Sequence, residues 1–165
     1  CPSVTLTAKG KGAGMLRDPA KLEAFLDEFF SRTEGPVSVK TRLGVTRPEE
    51  FDAILDIYNR YPICELTIHP RVMRQLYRGE ADRAAFAACL PRCRMPVCYN
   101  GDITTPAQLA ALETEHPSLS GIMVGRGLIA DPALLRQAVG GAEQVHAAQA
   151  VDDKHRHDGA GQYPG

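Results

Sequence analysis

The chain has 165 residues, 44% apolar and 24% charged, with a formal net charge of −1 at pH 7. That length suffices for one domain with a core, and the near-zero charge excludes nucleic-acid binding through a global positive field, so any RNA contact must come from a local patch. No apolar run is long enough to span a membrane, and Cys1-Pro2-Ser3 reads as a cut end without a secretory leader.

In chain order, Gly10-Lys11-Gly12-Ala13-Gly14 comes first. It lacks the spacing of a dinucleotide or Walker loop and is expected to be a mobile active-site loop after Cys1. Asp18-Pro19-Ala20 is a capping side chain followed by proline, a helix start, and Leu22, Phe25, Leu26, Phe29 and Phe30 repeat with helical period. A strand is predicted at 37–41, then a helix on Phe51, Ile54, Leu55 and Tyr58, which Arg47-Pro48-Glu49 opens with a poor cap. Strands follow at 65–69, 97–101 and 121–125, short and rich in β-branched or apolar residues. Thr105-Pro106-Ala107 and Asp131-Pro132-Ala133 start further helices.

Strand ends at Lys40, His69, Asn100 and Gly125 recur about every thirty residues, the size of one βα unit. The fold class expected is therefore α/β with a parallel sheet. Four strands with polar C-terminal ends fit part of a (β/α)8 TIM barrel, about four βα units forming an open half barrel, whose chemistry sits at that face. A small doubly wound sheet is the competing architecture. Residues 1–141 form this unit, and 142–165 read as a disordered polar tail; His155-Arg156-His157-Asp158 is taken as solvated rather than metal-binding.

The five cysteines, Cys1, Cys64, Cys89, Cys93 and Cys98, contain no CxxC pair and no zinc spacing. Reduced thiols and a cytoplasmic location are the expectation, with Cys64, Cys89 and Cys98 buried.

Several polar residues stand where chemistry is expected. Lys40, at the end of an apolar strand, supplies a fixed positive charge or snorkels at the rim. His69 can donate to a cofactor, move a proton or serve as a structural histidine. Asn100-Gly101-Asp102 and Gly125-Arg126-Gly127 let a phosphate approach backbone N–H groups, unless they are only turns. Cys1, a thiol with a reference pKa of roughly 8.5, is mostly protonated at neutral pH and suits a proton donor.

Taken together, Cys1-Pro2, Gly12-Ala13-Gly14-Met15-Leu16, Val39-Lys40-Thr41-Arg42-Leu43-Gly44, His69-Pro70-Arg71, Asn100-Gly101-Asp102-Ile103 and Gly125-Arg126-Gly127 resemble, in order and spacing, the motifs of the tRNA-dihydrouridine synthases over residues 1 to about 139. The resemblance implies FMN in a barrel, NADPH as reductant, and reduction of a flipped-out tRNA uridine to 5,6-dihydrouridine. It implies Cys1 as the proton donor, Lys40 near the flavin's N1/O2 edge, and His69 against the isoalloxazine or uracil. Asn100, Gly101, Asp102, Gly125 and Arg126 belong to the implied cofactor set, and Lys9, Arg42 and Arg71 are weaker candidates for RNA or phosphate contact. The departures are Pro70, which stiffens its loop, and Tyr99, whose ring is expected to alter the cofactor edge. Four earlier strands and a tRNA-gripping helical domain have no counterpart here. Such a half barrel has two open edges, through which self-association is expected. The other readings are a different phosphate-binding barrel, such as another FMN oxidoreductase or an aldolase with Lys40 as Schiff-base nucleophile, and an inert fragment or interaction module.

Overall fold

The computed structural model describes residues 1–140, so the expected tail at 142–165 lies outside the described residues. Four strands, β1 (Val37–Arg42), β2 (Ile63–His69), β3 (Val97–Tyr99) and β4 (Gly121–Ile122), form one sheet in the order β1-β2-β3-β4. All neighbours pair in parallel. The order follows the chain without reversal. A doubly wound sheet reverses its strand order at a switch point, so that alternative is excluded and the sheet is part of a barrel wall. Among the described residues β1 and β4 each pair on one side only, which leaves two open edges.

Seven helices accompany the sheet among the described residues: α1 (Val4–Ala8), α2 (Pro19–Arg32), α3 (Phe51–Tyr58), α4 (Arg83–Cys89), α5 (Pro106–Glu115), α6 (Arg126–Ala130) and α7 (Leu134–Gly140). Start signals act as predicted at α2, where Asp18 accepts from the Lys21 N–H at 3.2 Å. At α5, Thr105 and Gln108 accept from each other's backbone N–H, each at 3.2 Å. The poor cap before α3 is corrected by a residue further on. The Glu50 carboxylate accepts from the N–H groups of Val45, Thr46 and Arg47 at 2.7, 3.1 and 3.0 Å, so a side chain inside the turn satisfies the loop before it. α1 and α4 were not foreseen, being too short to show a period; Asp82 caps α4 through the Ala85 N–H at 2.9 Å.

Strand alternation gives the sheet two faces. Val39, Leu66, Ile68, Val97 and Tyr99 face the helices and join Ile54, Leu55, Tyr58, Phe86 and Leu112 in one core. Leu55, Leu66, Ile68 and Phe86 are fully buried, each contributing about 2 kcal/mol by area. The register sets Lys40 beside Thr67, Thr67 beside Cys98, Cys98 beside Gly121, and Arg42 beside His69 on the opposite face. That face is polar, and it is the barrel's interior.

Three expectations change. Tyr99 does not reach the interior: its ring packs edge-on against Phe86 at 4.8 Å on the helix side, because its position in β3 has the wrong parity. Cys64 is exposed at the register shift that opens β2, whereas Cys89 and Cys98 are buried as expected. The glycine-rich segment is a packed 3-10 turn, Gly12–Arg17, not an open loop; a Cβ on Gly14 would lie 2.7 Å from the Thr7 carbonyl oxygen, so glycine permits close approach there.

Candidate functional site

At the C-terminal ends of the strands lies a cavity of about 1050 Å³, at the upper end of the range for small-molecule sites. Cys1, Lys40, Arg42, His69, Arg71, Asn100, Gly101, Asp102, Gly125 and Arg126 all line it, so all but one of the sequence candidates converge on one mouth. The exception is Lys9, which is exposed on the loop after α1 and is not part of the wall. Cys1 is exposed at the rim, its carbonyl oxygen accepting from the Ala13 N–H at 2.9 Å.

The charged lining residues are Lys40, Arg42, Arg71 and Arg126 against the single carboxylate of Asp102. The mouth is therefore strongly cationic although the chain is near neutral. The titratable groups register this field. Lys40 is pushed below the ordinary lysine value by partial burial and then by Arg42.

His69 sits on the β2 end, and its hydrogen bonds define its state. Asn100 Nδ2 donates to the Met123 carbonyl oxygen at 2.7 Å. A carbonyl only accepts, so Asn100 Oδ1 must be the atom facing His69 Nδ1, at 3.1 Å. Nδ1 therefore carries the proton. Nε2 is left bare and accepts from Arg71 Nη1 at 3.1 Å. Burial lowers the His69 pKa to about 4; the Asn100 bond opposes this, and Arg42, Lys40 and Arg71 reinforce it. His69 is a neutral ring at pH 7 with both nitrogens engaged.

Arg71 is 2% exposed and spends all five N–H groups inside the protein. Nη1 reaches His69 and Asp102 Oδ1 (2.9 Å), Nη2 reaches Gly79 O and Asp102 Oδ2 (2.5 Å each), and Nε reaches Arg78 O (3.3 Å). Arg42, 5% exposed, donates to the carbonyls of Val72 at 2.9 Å and Leu76 at 2.6 Å. Both guanidiniums brace the loop after β2 from within. Leu76, at φ 53, holds a strained backbone whose carbonyl points at Arg42.

Asp102 is the only described non-glycine residue besides Leu76 with positive φ, at 47. Its carboxylate accepts from Arg71, from the Ala81 N–H at 3.0 Å and from Arg126 Nη2 at 2.9 Å. Burial alone would raise its pKa, but these donors outweigh it and hold the carboxyl below its ordinary value. Arg126 opens α6, where the first N–H groups have no partner within the helix. Tyr77, which sequence reasoning missed, is a largely exposed ring on this wall, with the Arg42 and Arg126 guanidiniums 5.7 and 5.2 Å from its centroid. It lies in a loop without periodicity, so no pattern marks it. Phe25 and Met15 also enter the wall, although helical spacing marks Phe25 only as core.

This arrangement can hold an anion through Arg126 and the adjoining N–H groups, place a positive charge from Lys40 beneath it, and set an exposed thiol at the rim. Among the described residues no group of His, Cys, Asp and Glu could hold a metal.

Residues 1–157 match the family described as Dihydrouridine synthase (Dus). The chain is 30% identical over 138 residues to tRNA-dihydrouridine synthase B of Pseudomonas putida, covering 83% of this chain and 41% of that protein. Against tRNA-dihydrouridine synthase B of Escherichia coli K12 the identity is 28% over 138 residues, covering 83% and 43%. It is 31% over 151 residues, with the same coverage, for a probable tRNA-dihydrouridine synthase of Treponema pallidum. The chain thus spans about two fifths of the length of these relatives.

Proposed function

Because the chain belongs to the dihydrouridine synthase family, we propose that it forms the phosphate-holding half of an FMN site in a barrel that reduces tRNA uridine to 5,6-dihydrouridine. The carrying observation is the cavity of four cations and one carboxylate at the strand ends. FMN is an anion of the right class for it, and the cavity has the volume for a ligand of that size. Gly125 leaves open space at the turn, so a phosphate can approach the backbone there.

When bound and reduced by NADPH, FMN supplies the hydride for the uracil ring. Arg126 and the first-turn N–H groups of α6 hold the phosphate, with Gly101 and Asn100 at the neighbouring turn. Lys40 keeps a positive charge at the floor, where reduction leaves negative charge. Cys1, at the rim, delivers the proton that completes the saturated ring. His69 is not an acid at neutral pH, since its Nδ1 proton is held by Asn100 and its pKa is about 4; it presents its ring as a fixed wall. The tRNA contact rests on the exposed cationic rim and on Lys9, exposed on the loop after α1; Arg42 and Arg71 contribute from below, as supports of that rim.

The test is a fluorescence-quenching titration of the chain with FMN and with riboflavin, which lacks the phosphate. FMN is expected to bind at least about tenfold more tightly, as for one charge-assisted phosphate contact; equal affinities would sink the proposal. The lowered pKa of Lys40 also suits a Schiff-base aldolase. Borohydride trapping with a carbonyl substrate separates the two readings, since only the aldolase leaves a covalent lysine adduct.

A further inference from the structure

We infer that Tyr99 is a positioning residue for the cofactor turn: from the helix side, the hydroxyl end of its ring props Gly101 and sets how far the turn after β3 stands into the cavity. What the turn holds rests on the FMN reading; the contact between the two residues does not.

Side chains two apart on a strand point to the same face. Position 101 continues the helix-side row of Tyr99, so a side chain there would enter the space the tyrosine ring occupies. A Cβ on Gly101 would lie 3.1 Å from the Tyr99 hydroxyl oxygen, 3.4 Å from its Cζ and 3.1 Å from the Ala81 Cβ. Gly101 is not among the described glycines with positive φ. Glycine is therefore needed at 101 for space rather than for a left-handed backbone, and its backbone passes close over the end of the ring.

Tyr99 can bear on the turn because it is itself held. Its backbone pairs with Ile68 on one side and Ile122 on the other, and its carbonyl oxygen accepts from the Met123 N–H at 2.7 Å. Phe86, fully buried, meets the ring edge-on at 4.8 Å, and His116 backs Phe86 at 5.6 Å. The ring is 2% exposed, so close packing leaves it no second rotamer. Burial pushes its hydroxyl pKa up, which keeps the end of the ring uncharged.

Other bonds tie the turn sideways. Asn100 Nδ2 donates to the Met123 carbonyl oxygen after β4, and Asp102 accepts from the Ala81 N–H before α4. Behind position 101 stand Tyr99 and Ala81. Gly101 lines the cavity. A turn that sinks toward the helices withdraws the backbone a phosphate would approach, and one pushed forward fills the phosphate's space.

A residue that only stabilises the core lowers FMN and riboflavin affinities together. One that sets the turn changes their ratio, because riboflavin lacks the phosphate. Fluorescence-quenching titrations of the full chain and its variants with both ligands test this, with urea unfolding to follow each variant's stability. Tyr99→Leu, which removes the end of the ring, is expected to lower FMN affinity about tenfold, as for one charge-assisted contact, and to leave riboflavin affinity within about twofold. Tyr99→Phe keeps the ring and is expected to stay within about threefold of wild type for both ligands. Gly101→Ala is expected to lower FMN affinity at least about tenfold in the wild-type background and about threefold less than that in Tyr99→Phe. There the nearest ring atom lies 3.4 Å from the added Cβ, while the Ala81 contact is unchanged.

Equal losses from Gly101→Ala in the two backgrounds, or parallel losses of FMN and riboflavin in Tyr99→Leu, overturn the inference. Should Tyr99→Leu fail to fold, Tyr99→Phe and Gly101→Ala decide, since both keep the ring. Should wild type bind FMN no better than riboflavin, the FMN reading fails. The urea midpoints of the same cycle then decide the contact by themselves: coupling between the two substitutions supports it, and additivity overturns it.

Discussion

His69 carries a consequence for stability that follows from its buried, doubly bonded ring. Its pKa is about 4 in the folded chain and roughly 6.5 when unfolded. The unfolded chain therefore takes up the proton first as pH falls. Stability from this group is full above about pH 6.5 and is lost as pH falls toward 4, by at most about 3 kcal/mol. Urea midpoints measured across that window should fall with acid, and His69→Gln should flatten the slope. Below about pH 4 the depressed carboxyls of Asp102 and Glu50 add to the loss in the same direction, because protonation removes the hydrogen bonds that lower them. A slope unchanged in His69→Gln would mean that the ring titrates as it does in water. Arg71 shows how a residue type misleads at this scale. A basic residue beside a strand-end histidine reads as a surface contact, but here it is a buried brace whose every N–H has a partner in the protein.

Among the elements, α6 depends on one missing side chain. A Cβ on Gly127 would stand 2.2 Å from the Ile103 carbonyl oxygen, a backbone atom that cannot rotate away. Gly127→Ala is expected to cost about 1–3 kcal/mol through overpacking and to move Arg126 off Asp102. Thermal denaturation reads the first effect and FMN affinity the second. The turn before α3 depends on Glu50 in a comparable way. Glu50→Ala frees three backbone N–H groups and should cost about 1–2 kcal/mol, while leaving FMN affinity within about twofold, since Glu50 is not among the residues of the cavity wall. A large loss of FMN binding in Glu50→Ala would show that the loop after β1 reaches the ligand after all.

For the whole molecule, the open edges at β1 and β4 set the expectation. One wall holds the cations, but a barrel builds its site from the loops after all eight strands, and an exposed sheet edge invites pairing with another strand. The purified chain alone is expected to carry well under one flavin per chain after gel filtration, and light scattering is expected to detect self-association through these edges. Stoichiometric yellow protein from the isolated chain would mean that four strands suffice to retain FMN.

The repeat of about thirty residues and the polar strand ends were enough to read a parallel α/β sheet from the sequence, because period and strand parity are local properties of a chain. The same locality made the charged part of the cavity wall legible: Lys40 and His69 lie in the last residues of their strands, Asn100 follows β3 and Arg126 opens a helix, and equivalent ends of parallel strands must meet at one face. Lys9 lies off the cavity wall because loop residues carry no such constraint. What became of each polar group depended on partners far away in sequence. His69 reads as a proton donor until both its nitrogens are seen to be engaged, and Tyr77 as an ordinary loop residue until two guanidiniums flank it. Hydrogen-bond direction, burial and the sign of the local field are set by tertiary neighbours, and only the folded chain could supply them.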